Sequence, residues 1–138
     1  MHLDPSDANV RHLLARSIEG PVVMVNLLRF RDVADYTSHP ELAPDEPISG
    51  REAYDRYVEH TLPFLLASGG TVRFSGSGGH VFIGPDDERW DEVLLVEQAD
   101  IGSFFAFADD PAYTAGLGHR SAALADNRLI PVVERPVP

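Results

Sequence analysis

Hydrophobic positions along the chain follow two rhythms, one helical and one alternating. Val10, Leu13, Leu14 and Ile18 recur at helical spacing after Asp4-Pro5-Ser6-Asp7, where Ser6 or Asp7 can cap the first free N–H groups. Gly20-Pro21 stops that helix. Residues 21–30 are a nearly continuous apolar run rich in β-branched side chains and read as a strand covered on both faces. Residues 32–49 are polar, carry Pro40, Pro44 and Pro47, and read as an irregular excursion long enough to suggest function or flexibility. A second helix is expected over 50–68, with Ser49 and Glu52 spaced as a capping box and Tyr54, Tyr57, Val58, Leu62 and Leu65 on one face. Pro63 removes one donor from its ladder, so a kink or break is expected near His60 to Leu62.

Beyond Gly69-Gly70 the period shortens. Residues 71–77 and 79–84 flank Gly76-Ser77-Gly78-Gly79, which makes either a hairpin or one bent strand with a glycine bulge. An acidic turn over 85–91 carries Trp90, and Val93-Leu94-Leu95-Val96 builds the next strand, over 92–98. Asp100 opens a helix through Phe104, Phe105 and Phe107, interrupted at Asp109-Asp110-Pro111. A further helix is expected over 112–124 and a last strand over 128–133.

The resulting order is one α+β domain over 1–138: a ferredoxin-like βαββαβ unit with an added N-terminal helix. Its four-stranded antiparallel sheet carries helices on one face and leaves the other bare. An apolar bare face needs cover, and a second copy is the commonest cover, so a homodimer is expected.

Charge narrows the partners. The net charge is −11, all 11 basic residues are arginine, and there is no cysteine. This balance opposes binding to a phosphate backbone or an anionic membrane surface, yet one or two arginines can still hold a small carboxylate. The absence of thiols suits a reducing cytoplasm and excludes thiolate catalysis. The N-terminus lacks the basic and apolar regions of a signal peptide, and the longest apolar stretch is too short to span a bilayer.

Several segments together resemble a known family. They are Val23-Met24-Val25-Asn26-Leu27-Leu28-Arg29-Phe30-Arg31, Ala53-Tyr54-Asp55-Arg56-Tyr57 and Pro63-Phe64-Leu65-Leu66-Ala67-Ser68-Gly69-Gly70, followed by Trp90-Asp91-Glu92-Val93 and Asp109-Asp110-Pro111-Ala112-Tyr113. In order and spacing the chain resembles the domain-of-unknown-function family thirteen-thirty of the dimeric α+β-barrel superfamily. The resemblance implies a ferredoxin-like fold and a barrel made from two sheets. It implies no reaction, because that superfamily spans cofactor-free monooxygenases, lactone isomerases, dehydratases and haem-binding enzymes.

Polar residues in apolar surroundings are the candidate chemistry. Asn26 interrupts the most apolar strand and needs hydrogen-bond partners, from a neighbouring loop or from a ligand. Arg29, and Arg31 beside it, either pair with surface acids or hold a carboxylate. Tyr54 and Tyr57 either pack the core or line a pocket between helix and sheet. His119, beside Gly116-Leu117-Gly118, is the candidate acid–base group because histidine titrates near neutrality; the alternative is a half-exposed helix histidine. Glu97 ends an apolar strand and is either a base or an ion-pair partner of Arg73. The six histidines show no ligand spacing, so no metal is expected, and no phosphate loop or other cofactor motif is present. The expectation is a small-molecule-binding protein, or a cofactor-independent isomerase- or monooxygenase-like enzyme for an apolar or carboxylated compound. A non-catalytic ligand-binding or structural dimer is the alternative.

Overall fold

The computed structural model describes residues 2–138. The apolar run becomes β1 (Val22–Phe30), the inner strand of a four-stranded sheet that also holds β2 (Thr71–His80), β3 (Arg89–Gln98) and β4 (Leu124–Val132). The sheet order is β2-β3-β1-β4, and every neighbouring pair is antiparallel. Alternation along β1 sends Val22, Met24, Leu28 and Phe30 to one face, where all four are buried. Val23, Val25 and Leu27 point to the other face, level with Glu97, Leu95 and Val93 of β3 and Val132, Ile130 and Arg128 of β4.

The helices lie on the first face: α1 (Asp7–Ala15), α2 (Gly50–Ala67), α3 (Ile101–Asp109), α4 (Pro111–Thr114) and α5 (Leu117–Ala123). The capping box at the start of α2 is formed: the Glu52 amide donates to Ser49 Oγ at 3.0 Å and the Ser49 amide to Glu52 Oε1 at 3.3 Å. Gly50, Ala53, Tyr54, Tyr57, Thr61 and Leu65 make the buried stripe of α2. Of these, Ala53, Tyr54 and Tyr57 pack with Leu28, Phe30, Tyr36, Tyr113 and residues 122–124 into the main core. No helix among the described residues is long and apolar enough to cross a membrane.

The ferredoxin-like order and the added N-terminal helix match the reading of the sequence, but the barrel does not. The sheet is open, with β2 and β4 as its edges. Four strands are too few to close, since a small barrel needs roughly eight. Other differences are local. The helix α2 runs unbroken through Pro63, which stands at an exposed position and gives up one amide donor without ending the helix. The glycine-rich segment is a single strand with a register shift between Val72 and Phe74, and the hairpin turn falls later, so Trp90 belongs to β3. The last expected helix divides at Gly116 into α4 and α5, and β4 starts at Leu124.

The glycines explain that division. A Cβ at Gly116 would lie 2.2 Å from His60 Cδ2, and one at Gly118 would lie 2.6 Å from Leu42 Cδ1 and 2.7 Å from His39 Cγ. Close approach of α2 and of the 32–49 segment therefore requires both. That segment is not loose: it contains a 3-10 turn at Pro40–Leu42, and Tyr36, Leu42 and Ile48 pack on the core. The Asp35 amide donates to the Ala122 carbonyl at 2.9 Å, tying the segment to α5.

Candidate functional site

The sheet separates the residues nominated from sequence into two groups. On the helix side, His119 of α5 shares a 2.7 Å hydrogen bond through Nδ1 with Tyr36 Oη, and the rings meet edge to face. Tyr57 and Tyr113 join hydroxyls at 2.7 Å, and Tyr54 stacks between Phe30 and Tyr57. Burial pushes the Tyr54 hydroxyl well above the ordinary phenol range, so it stays protonated. Asn26 donates from Nδ2 to the Met24 carbonyl at 3.1 Å, a local bond within β1.

On the opposite face, Glu97 pairs with Arg73 at 3.4 Å, and Arg73 also holds Glu134 at 2.8 Å. Arg29 follows Leu27 on that face, and its Nε is shielded from solvent without a hydrogen-bond partner. Asn26, Tyr57, His119, Arg29 and Glu97 therefore do not converge on one cavity. Among the described residues, no group of three or more His, Asp or Glu side chains is placed to hold a metal ion.

The His119 environment has a measurable consequence. Burial, then the charges of Arg56 and His60, hold its pKa below the ordinary 6.5. Below pH 6.5 the unfolded chain takes up this proton before the folded chain does. The contribution is therefore complete above 6.5 and is lost as pH falls through the folded value. An NMR titration should give a His119 midpoint below 6.5. A midpoint at or above that value would mean the ring is solvated and its link to Tyr36 is open.

A larger feature lies elsewhere on the helix side. A cavity of about 570 Å³ opens between α1, α3 and the β4 edge. That volume falls inside the range of roughly 300–1,000 Å³ common for small-molecule sites. Its apolar lining includes Leu3, Val10, Leu13, Phe104, Phe105 and Leu129. Neither α1 nor α3 has a buried residue, although α3 is rich in phenylalanine. Two helices with apolar side chains thus face a space that the chain itself does not fill.

Polar contacts hold α1 across that space. The His2 amide donates to Asp126 Oδ1 at 2.7 Å, and the Asn127 side-chain amide donates to the His2 carbonyl. Arg120 of α5 donates to the Leu3 carbonyl at 3.0 Å and to Asn127 Oδ1 at 2.9 Å. At the far end of α1, Arg16 donates to the Pro131 carbonyl at 2.7 Å. The helix is strapped at both ends and bridges the cavity between them.

Sequence reasoning missed this site. One signal was available: Ile101, Phe104, Phe105 and Phe107 wrap α3 on more than one stripe, more apolar surface than a single core contact uses. Phe107 stacks on Tyr113 at 4.3 Å between ring centroids, which leaves Phe104 and Phe105 for the cavity.

Comparison with solved structures gives two matches along nearly the whole chain. RPA0582, a protein of unknown function from Rhodopseudomonas palustris, is 35% identical, with 98% of this chain and 98% of that chain covered and a TM-score of 0.83. The methylated form of RPA0582 matches at 34% identity, 98% and 96% coverage and a TM-score of 0.85. A dimeric protein of unknown function and ferredoxin-like fold from Bacteroides fragilis is 14% identical, with 81% and 94% covered and a TM-score of 0.50, a likeness of fold alone. No family model matches the chain, and no curated protein does.

Proposed function

The chain belongs to the family of RPA0582, and on that premise we propose that it is a homodimeric small-molecule-binding protein whose ligand occupies the cavity beneath α1. The observation that carries this reading is the pairing of α1 and α3, two helices without a buried residue, around about 570 Å³ of mostly apolar space. An apolar ligand there would shield side chains whose full burial is worth roughly 1.5–3 kcal/mol each. The earlier resemblance to family thirteen-thirty is retained as a proposed, more distant relation.

The proposal is tested with the uncharged dye Nile red and the full chain. Saturable binding of one dye per chain is expected, weakened at least tenfold by Leu13→Trp or Leu129→Trp, each of which fills the space. Binding that does not saturate, or that both variants leave unchanged in a folded chain, would place the ligand elsewhere.

The dimer part of the proposal rests on the open sheet face. Val23, Val25, Leu95 and Val132 form the floor of a shallow trough rimmed by Arg73 and Glu134. Around it Phe74 and Ile130 stand 53% and 50% exposed, more apolar surface than a solvated sheet face usually shows. Two copies stacking these faces would cover it while leaving the sheet edges open. The match to a protein described as dimeric supports the same reading.

An enzymatic reading has one observation in its favour, the neutral His119 held by Tyr36 at 2.7 Å. It would need turnover that His119→Ala abolishes while ligand affinity persists.

A further inference from the structure

Resting on the cavity reading above, we propose that the ligand is an amphipathic monocarboxylate, its apolar body between α1 and α3 and its carboxylate on Arg120. The chain carries 22 acidic residues against 11 arginines. Arg120 and Arg16 both line the cavity, and neither forms an ion pair among the described residues.

Their partners are neutral. Arg120 binds the Leu3 carbonyl and the Asn127 side-chain oxygen, and Arg16 binds the Pro131 carbonyl. A guanidinium has more donors than these bonds use, and they suit the two oxygens of a carboxylate. Arg128, the third arginine of the lining, is already neutralised by Asp126 at 2.8 Å. The single carboxylate of the lining is Asp4, which is exposed. The cavity is thus a local excess of positive charge in a strongly acidic protein.

The rest of the lining limits the ligand. Leu3, Val10, Leu13, Phe104, Phe105 and Leu129 offer an apolar body many contacts, and the remaining polar side chains of the lining are His2, Asn9 and His12. A dianion such as a phosphate monoester would lose more hydration than one half-satisfied arginine returns. A single carboxylate on an alkyl or aryl body meets both halves of the site.

Calorimetric titration of the full chain with decanoate and with decanol separates head from tail. Decanoate is expected to bind at least tenfold more tightly than decanol. Arg120→Gln should bring the two within about twofold. Arg120→Met, which keeps the length of the side chain without its charge, should do the same and keeps the test open if Arg120→Gln misfolds. Equal binding of decanol and decanoate would overturn the carboxylate and leave the cavity standing. A decanoate preference that survives the substitutions would also overturn it. Binding of neither compound would remove the cavity reading as well.

Discussion

Replacing Gly50 by alanine should destabilise the protein by about 3 kcal/mol or more, the upper end of what overpacking costs. A Cβ at this position would sit 2.2 Å from the Arg31 carbonyl oxygen, 2.7 Å from the Ala123 carbonyl oxygen and 2.7 Å from the Arg31 nitrogen. All three are backbone atoms, so no rotamer change relieves the clash. The same point is a junction: the Gly50 amide donates to the Arg31 carbonyl at 3.0 Å, and the Arg31 amide to the Ala123 carbonyl at 2.8 Å. It therefore locks the end of β1, the start of α2 and the end of α5 together. Against a total stability of roughly 5–15 kcal/mol, the loss should be plain in urea melts. A change below about 1 kcal/mol, the usual cost of deleting a helix cap such as Ser49, would show that the junction opens more easily than its geometry implies.

The second large effect is expected on assembly. Leu95→Asp should convert two associated chains to one by light scattering, with the circular dichroism of the fold retained. Leu95 lies opposite Val25 on the open face and lines its trough. In a lone chain the new carboxylate meets water; between two stacked faces it would be buried, unpaired, once from each copy. Ile130→Asp, on the same face and half exposed, should act the same way. A wild-type chain that is monomeric at micromolar concentration, or variants that both remain dimeric, would remove this face as the interface.

How much of this was legible in the sequence differs by element, for physical reasons. Local patterns carried the topology: the apolar, β-branched run from Val22 to Phe30, the capping box at Ser49 and the stop at Gly69-Gly70 each act within a few residues. Boundaries failed where a distant contact decides. The last helix divides at Gly116, where His60 comes close, and His39 and Leu42 lie against Gly118, all from other parts of the chain. The barrel came from resemblance rather than from residues, and the open sheet corrects it.

The candidate chemistry was harder to read. Nothing local to Arg29 and Glu97 tells that they share one sheet face while Tyr57 and His119 lie on the other. The cavity depends on α1 crossing β4, through contacts such as His2 to Asp126 and Arg16 to Pro131 that join the two ends of the chain. Only the excess apolar surface of α3 hinted at it. The dense tyrosine core, by contrast, absorbs Tyr54 and Tyr57 into packing.

The central claim is that the space beneath α1 takes a small molecule. Amide chemical-shift mapping of the full chain titrated with 1-anilinonaphthalene-8-sulfonate tests it most directly. Shifts should concentrate at Leu13, Phe104, Phe105 and Leu129, which line that space. Shifts confined to Phe74, Leu95 and Ile130 on the open sheet face, or no saturable shifts at all, would contradict it.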